Sequence, residues 1–183
     1  MPISVVRFAD APAQAWKNGG GVTRELWREP ATGDFDLRLS VAEVASDGPF
    51  SPFPGVDRVI TLVHGAGFVL RGPTTEAYVT EVAAPYGFSG DDDVYCSLVD
   101  GPVRDFNVMV RRGRRVTVCR VGAGDVLGAG WLLALTPLAL AGMGNTTLAV
   151  CDVAVLPADG AQVAGGPDAI GVFVQLGASG ALP

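Results

Sequence analysis

Phe35-Asp36-Leu37-Arg38-Leu39-Ser40-Val41-Ala42 alternates without a break, so Phe35, Leu37, Leu39 and Val41 share one face of a strand and Asp36, Arg38, Ser40 and Ala42 share the other. In an open sheet such a polar face is solvated. In a barrel it lines the interior, and Arg38 and Ser40 then face a ligand. Which of the two holds decides the fold. Five residues further on, Asp47 to Arg58 gathers Pro49, Pro52 and Pro54 with Gly48 and Gly55 around Phe50 and Phe53, then ends on Asp57 and Arg58. Proline fixes φ and removes a backbone donor, so this run is expected to be a rigid loop between strands. Phe50 and Phe53 anchor it on a core, and Arg58 enters the apolar strand Val59 to Val63 with little freedom of direction. A guanidinium held there presents a planar donor fork suited to a carboxylate. The competing reading is a structural ion pair of Arg58 with Asp57 or a glutamate.

Outward from this centre the chain reads as short apolar runs between turns. Val22 to Glu29 has no plainly apolar face. Arg58 to Val63 and Phe68 to Arg71 flank a hairpin turn at His64-Gly65-Ala66-Gly67. Thr75 to Ala83 follows, then a turn-rich acidic segment with Pro85-Tyr86-Gly87 and Asp91-Asp92-Asp93, the latter read as a solvated loop tip since the EF-hand pattern is absent. In Val103 to Arg112 the alternation places Asp105, Asn107 and Met109 together on one face. Further strands are expected at Val94 to Val99, Val116 to Val121, Trp131 to Leu135, Leu138 to Ala141, Thr147 to Leu156 and Ile170 to Leu176. No 3.6-residue amphipathic stretch appears, so helix content is expected to be low. About a dozen strands in 183 residues predict an all-β chain, built as two stacked barrels or sandwiches.

Trp16-Lys17-Asn18-Gly19-Gly20-Gly21 interrupts this pattern before the first long strand. Consecutive glycines suit a positive φ or a close backbone approach, yet neither a P-loop nor GxGxxG is present. The run is either a flexible hairpin approach or a bared backbone beside a ligand, with Lys17 and Asn18 as polar arms.

Composition excludes several classes of function. A formal charge of −6 argues against non-specific binding to nucleic acid or to anionic membranes. Cys96, Cys119 and Cys151 are odd in number, widely spaced and set in apolar segments, which predicts buried free thiols and neither a zinc ribbon nor a redox pair. The N-terminal residues lack a secretory pattern, and the most apolar run, Trp131 to Leu140, is too short to span a bilayer and contains Pro137. A cytoplasmic protein is expected. With a single histidine, His64, in a glycine turn and no GxSxG elbow, neither a cupin metal centre nor a histidine-based triad is expected, and no cofactor is implied.

Taken together, the block at Trp16 to Gly21 followed by Thr23-Arg24-Glu25, then Arg38 with Ser40, Asp47 to Arg58, and Asp105-Phe106-Asn107 with Met109, resembles the HutD/Ves family. The resemblance covers about the first 110 residues and is less distinctive in the C-terminal third. It implies a bicupin of two jelly-roll-like antiparallel lobes, residues 1–112 with the ligand pocket and residues 113–183, with room for strand exchange between them. It further implies an association with bacterial histidine utilisation and a regulatory binder of N-formylglutamate or urocanate. Arg58, in the block Phe53-Pro54-Gly55-Val56-Asp57-Arg58, stands at the family's pocket arginine. Tyr86 stands where related sequences more often carry phenylalanine.

The residues themselves offer a set suited to a small acid: Arg58, Arg38, Ser40, Asn107, Lys17 and Asn18 as ligand contacts, supported by Trp16, Gly19, Gly20, Phe50, Phe53 and Asp57, with Arg24 and Glu25 as a structural pair. The leading expectation is a non-enzymatic binder holding a carboxylate on Arg58. The alternatives are a metal-independent isomerase or hydrolase using Lys17 or Glu25 as acid or base, and a protein-interaction module. Apolar edge strands also make a homodimer an expectation.

Overall fold

The computed structural model describes residues 3–141 and 146–177, and the chain divides into two compact units. One is Ala11–Arg112; the other joins Met1–Asp10 to Gly113–Pro183.

In the Ala11–Arg112 unit, a six-stranded antiparallel sheet runs from edge to edge as Ala13–Ala15, Gly21–Glu29, Leu37–Val44, Val103–Arg111, Val56–His64 and Pro85–Ser89. A second sheet orders Gly48–Pro49, Tyr95–Leu98, Phe68–Arg71 and Glu76–Val79. The alternation at Leu37–Val44 and Val103–Arg111 sends Ala42, Val44 and Val103 toward this second sheet. There they join Ile60 and Leu62 in one apolar cluster with Phe68, Leu70, Ala77, Val79 and Cys96. Leu39, Phe106 and Val108, on the opposite face, are buried as well. Both faces of the central strands are thus withdrawn from water, and burial of the large side chains contributes about 1.5–3 kcal/mol each.

The second unit repeats the two-sheet plan. Its five-stranded sheet orders Ser4–Val6, Val153–Leu156, Gly130–Ala134, Ile170–Leu176 and Val116–Gly122, and its four-stranded sheet Val126–Leu127, Ala161–Ala164, Leu138–Ala141 and Thr146–Leu148. The buried Asp152 carboxylate fastens the incoming N-terminal segment. It accepts from Arg7 Nη1 at 2.6 Å, from the Phe8 amide at 2.9 Å and from the Ala149 amide at 2.9 Å.

The expected pair of barrels or jelly-roll lobes, and with it the bicupin architecture, is not what forms. Among the described residues there are four separate sheets, and none closes on itself. Closure needs the two edge strands of a sheet to pair, and here the edges are unsuited to it. Gly48–Pro49 has two residues, and Pro85–Ser89 begins on a residue without an amide proton. These same edges correct two expectations for the prolines. The rigid loop contributes a short strand, pairing Pro49 with Tyr95, and the segment around Tyr86 pairs with Val56–His64 instead of turning. Proline is tolerated in both because each is an edge strand. Thr147 to Leu156, expected as one strand, breaks at Cys151, whose φ is +68°. The low helix content is as expected: one 3-10 turn, Phe8–Asp10, occurs among the described residues, and no helix is long and apolar enough to cross a membrane.

Gly21 pairs with Val44 at the start of its strand, where an added Cβ would lie 2.6 Å from the Glu43 carbonyl oxygen and 3.2 Å from the Trp16 ring. Gly21→Ala is predicted to cost about 1–3 kcal/mol in urea unfolding, as overpacking does; an unchanged midpoint would mean that this contact relaxes freely.

Candidate functional site

Three neighbouring strands build the site row by row. Met109 lies between Arg38 and Arg58, Asn107 between Ser40 and Ile60, and Asp105 between Ala42 and Leu62. The side chains of these rows point toward the second sheet. Where the apolar rows end, the gap becomes a cavity of about 630 Å³, with Arg58, Arg38, Ser40, Asn107 and Asp105 on its sheet side and Trp16 to Asn18 and Pro49 to Phe53 along the rest. The two-way choice posed by Phe35 to Ala42 therefore resolves in a third way. The sheet is open, yet its polar face lines a cavity.

Arg58 is only 5% exposed. Its Nη2 donates to Asn107 Oδ1 at 2.8 Å and its Nη1 to the Ser51 carbonyl at 3.4 Å. The guanidinium carbon lies 4.7 Å from the centre of the Phe88 ring, 5.3 Å from that of Phe53 and 5.6 Å from that of Phe50, so the charge rests among aromatic faces. Burial lowers its pKa to about 10, with Asp105 raising it and Arg38 lowering it further, and Arg58 stays cationic at neutral pH. No ion pair with Asp57 forms. Asp57 pairs instead with Arg112 at 3.1 Å.

Asn107 passes the polarity on: its Nδ2 donates to Asp105 Oδ1. Asp105 has no solvent exposure, and burial pushes its pKa up to about 7, against the lowering influence of Arg58 and of the Asn107 hydrogen bond. Two atoms of the Arg58–Asn107–Asp105 row are left over. Among the described residues, Arg58 Nε and Asp105 Oδ2 are buried without a hydrogen-bond partner. Orphaned buried polar groups are costly, and both residues are among those lining the cavity.

The second guanidinium is already neutralised. Arg38 Nε donates to Glu25 Oε2 at 2.6 Å, and Arg28 approaches the same oxygen at 3.8 Å. A register shift between Glu25 and Trp27 brings Glu25 and Arg28, three apart on a strand, to the same side. Arg24 and Glu25 are neighbours on the strand and lie on its opposite faces, which is against the expected pair. Arg24 donates to the Ala11 carbonyl, and Glu25 serves Arg38 and Arg28.

The glycine run is a tight turn, closed by the Trp16 amide on the Gly21 carbonyl at 2.9 Å and the Gly19 amide on the Trp16 carbonyl at 3.0 Å, with Gly19 at φ +73°. Asn18 Oδ1 accepts from the Gly20 amide at 3.0 Å. Trp16 donates to Thr23 Oγ1 at 2.8 Å and meets the Phe50 ring edge-on at 5.9 Å, which ties the turn to the proline loop across the cavity. Lys17 and Asn18 are exposed where they line the cavity. The acidic triplet divides its work: Asp91 accepts from the Gly55 amide and pairs with Arg112, Asp92 accepts from Thr74 and Thr75, and Asp93 lines the cavity. His64 is exposed, and among the described residues no three His, Cys, Asp or Glu side chains could hold a metal ion. Asp105 and Phe88 were not among the expected site residues. Asp105 was signalled by its place two residues before Asn107, whereas Phe88 sits in a segment read as turn.

A sheet-rich unit that opens a polar cavity of small-molecule size beside its two-sheet core defines a cupin-like protein. The chain belongs to the HutD/Ves family, the HutD family profile matching residues 8–162. It is 42% identical to Protein Ves of Citrobacter koseri over 112 residues, 60% of this chain and 59% of that one. It is 37% identical over 109 residues to a 21.2 kDa protein in the hutC 3' region of Pseudomonas putida, 58% of this chain and 57% of that one. The chain thus matches less than two thirds of the length of these curated relatives. The structure of HutD from Pseudomonas fluorescens SBW25, in a formate condition, is similar along nearly the whole length. The TM-score is 0.80 at 30% identity, covering 96% of this chain and 99% of that one.

Because Asp105 holds its proton more tightly when folded, its contribution to stability is fully present below about pH 4 and is lost as pH rises through about 7. Relative to Asp105→Asn, the wild type should therefore lose on the order of a few kcal/mol between these limits, measured by urea unfolding at a series of pH values. A constant difference between the two would contradict a raised Asp105.

Proposed function

We propose that the cavity binds a small carboxylate with its acid group on Arg58, and that the protein is a non-enzymatic sensor of an intermediate of histidine breakdown, urocanate or N-formylglutamate. The observation that carries this reading is the buried Arg58, a residue lining the cavity whose Nε has no hydrogen-bond partner. A cation so placed favours an anionic acceptor, and a charge-assisted contact out of water is worth more than the 0–1 kcal/mol of a typical surface ion pair. Arg38 is occupied by Glu25, and in this reading Ser40, Lys17 and Asn18, which also line the cavity, contact the rest of the ligand. The histidine context is supported by family membership and by the hutC-region relative, and the formate condition of the HutD structure suits a carboxylate. In the same reading the protein works in the cytoplasm, where Cys96, Cys119 and Cys151 stay reduced. An enzymatic reading has one observation in its favour, the Asp105 carboxyl raised to about 7, and is separated from the sensor by turnover of the bound acid on incubation.

Thermal unfolding against urocanate, N-formylglutamate, histidine, glutamate and formate tests the proposal. An acid present at about one hundred times its Kd should stabilise the wild type by about 2.7 kcal/mol, and Arg58→Ala should abolish the shift. A shift that survives in Arg58→Ala would move the acid off Arg58; no shift with any of the acids would favour a protein partner.

A further inference from the structure

Resting on the carboxylate reading above, we infer that the cavity takes up a proton together with the acid. The proton goes onto Asp105 Oδ2, which then donates a hydrogen bond to an acceptor on the ligand. The orientation of Asn107 singles out this atom. Its Oδ1 is committed to Arg58 and its Nδ2 to Asp105 Oδ1, which leaves Oδ2 as the free oxygen, buried and unpartnered in a residue that lines the cavity. As a carboxylate, Asp105 would stand as a like charge beside an incoming carboxylate, with Arg58 the lining guanidinium not already paired with a carboxylate. Two carboxylates sharing one such site do not both stay ionised, and protonating Asp105 removes the repulsion and turns an orphan acceptor into a donor.

The charged and titratable groups around Asp105 agree with this assignment. From Val56–His64 comes Arg58, connected through Asn107 and not paired directly; from Leu37–Val44 comes Arg38, held by Glu25 of Gly21–Glu29. From Tyr95–Leu98 comes the Cys96 thiol, pushed up to about 12 by burial and then by Asp105 and Asp47, so it stays neutral. Lys17 and Asp93, opposite in sign, are exposed where they line the cavity. Arg58 stays cationic through the neutral range, and Asp105 is the group that titrates there. The cavity would consequently favour acids carrying a second acceptor, such as a carbonyl or another carboxylate oxygen, over those presenting an ammonium at that point.

Calorimetric titration of formate into the wild type, in phosphate and Tris at about pH 8 and in MES and bis-Tris at about pH 5.5, reads the proton directly because the buffers of each pair differ in ionisation heat. The expected uptake is close to one proton per formate at about pH 8 and close to none at about pH 5.5, where Asp105 is already protonated. Asp105→Asn, which carries a permanent donor, should show no uptake, a flat pH profile and about tenfold tighter binding than the wild type at about pH 8. Formate binding to the wild type without uptake at the higher pH overturns the proton and leaves the carboxylate site standing. An unaltered uptake in Asp105→Asn removes Asp105 from it. Failure of formate, urocanate and N-formylglutamate alike to bind removes the carboxylate reading and this inference with it.

Discussion

A guanidinium buried without a carboxylate directly upon it is the constraint around which the Ala11–Arg112 unit is arranged. Burying a cation is costly unless its donors are met, and Arg58 is met in part by the Asn107 amide, in part by the Ser51 carbonyl and in part by the faces of three phenylalanines. The nearest compensating charge, Asp105, is reached through Asn107 and is itself destabilised by burial. A directly paired Arg–Asp couple would satisfy both groups and close the site. The interposed amide keeps the two apart and leaves each with one unsatisfied atom.

The surrounding fold supplies what this arrangement requires. Residues two apart on the central strand share a face, so Val103 stands in the apolar cluster while Asp105, Asn107 and Met109 line the cavity beside it. Phe50 belongs to the core cluster and also forms part of the cavity wall, so the proline loop is fastened at the point where it contacts Arg58. Trp16 packs against the same ring and brings the glycine turn to the same cavity. The proline loop thus contacts Arg58 directly, and the glycine turn is connected to it through Trp16 and Phe50.

Much of this was legible in the sequence where it depends on local rules. Two-residue alternation grouped Arg38 with Ser40 and Asp105 with Asn107 on shared faces, as the strand pairing has them, and the proline run pointed to Arg58 without showing that it is buried. What was not legible depends on partners distant in the chain. The shift between Glu25 and Trp27 is set by the pairing with Leu37–Val44, and it brings Arg28 to the side where Glu25 meets Arg38. Pro49 and Pro85 read as loop or turn residues because nothing local shows that they lie on edge strands, where a missing amide proton costs little. Strand number and turn density are compatible with open and closed sheets alike, so the expected barrels could not be told from the four open sheets that form.

The most direct test of the central claim is the NMR signal of the arginine side-chain Nε–H groups during titration with formate. The account predicts that one such resonance, assigned to Arg58 by its loss in Arg58→Lys, shifts progressively as its unpartnered donor gains an acceptor. An Arg58 resonance that stays in place while formate saturates the protein elsewhere would contradict the account.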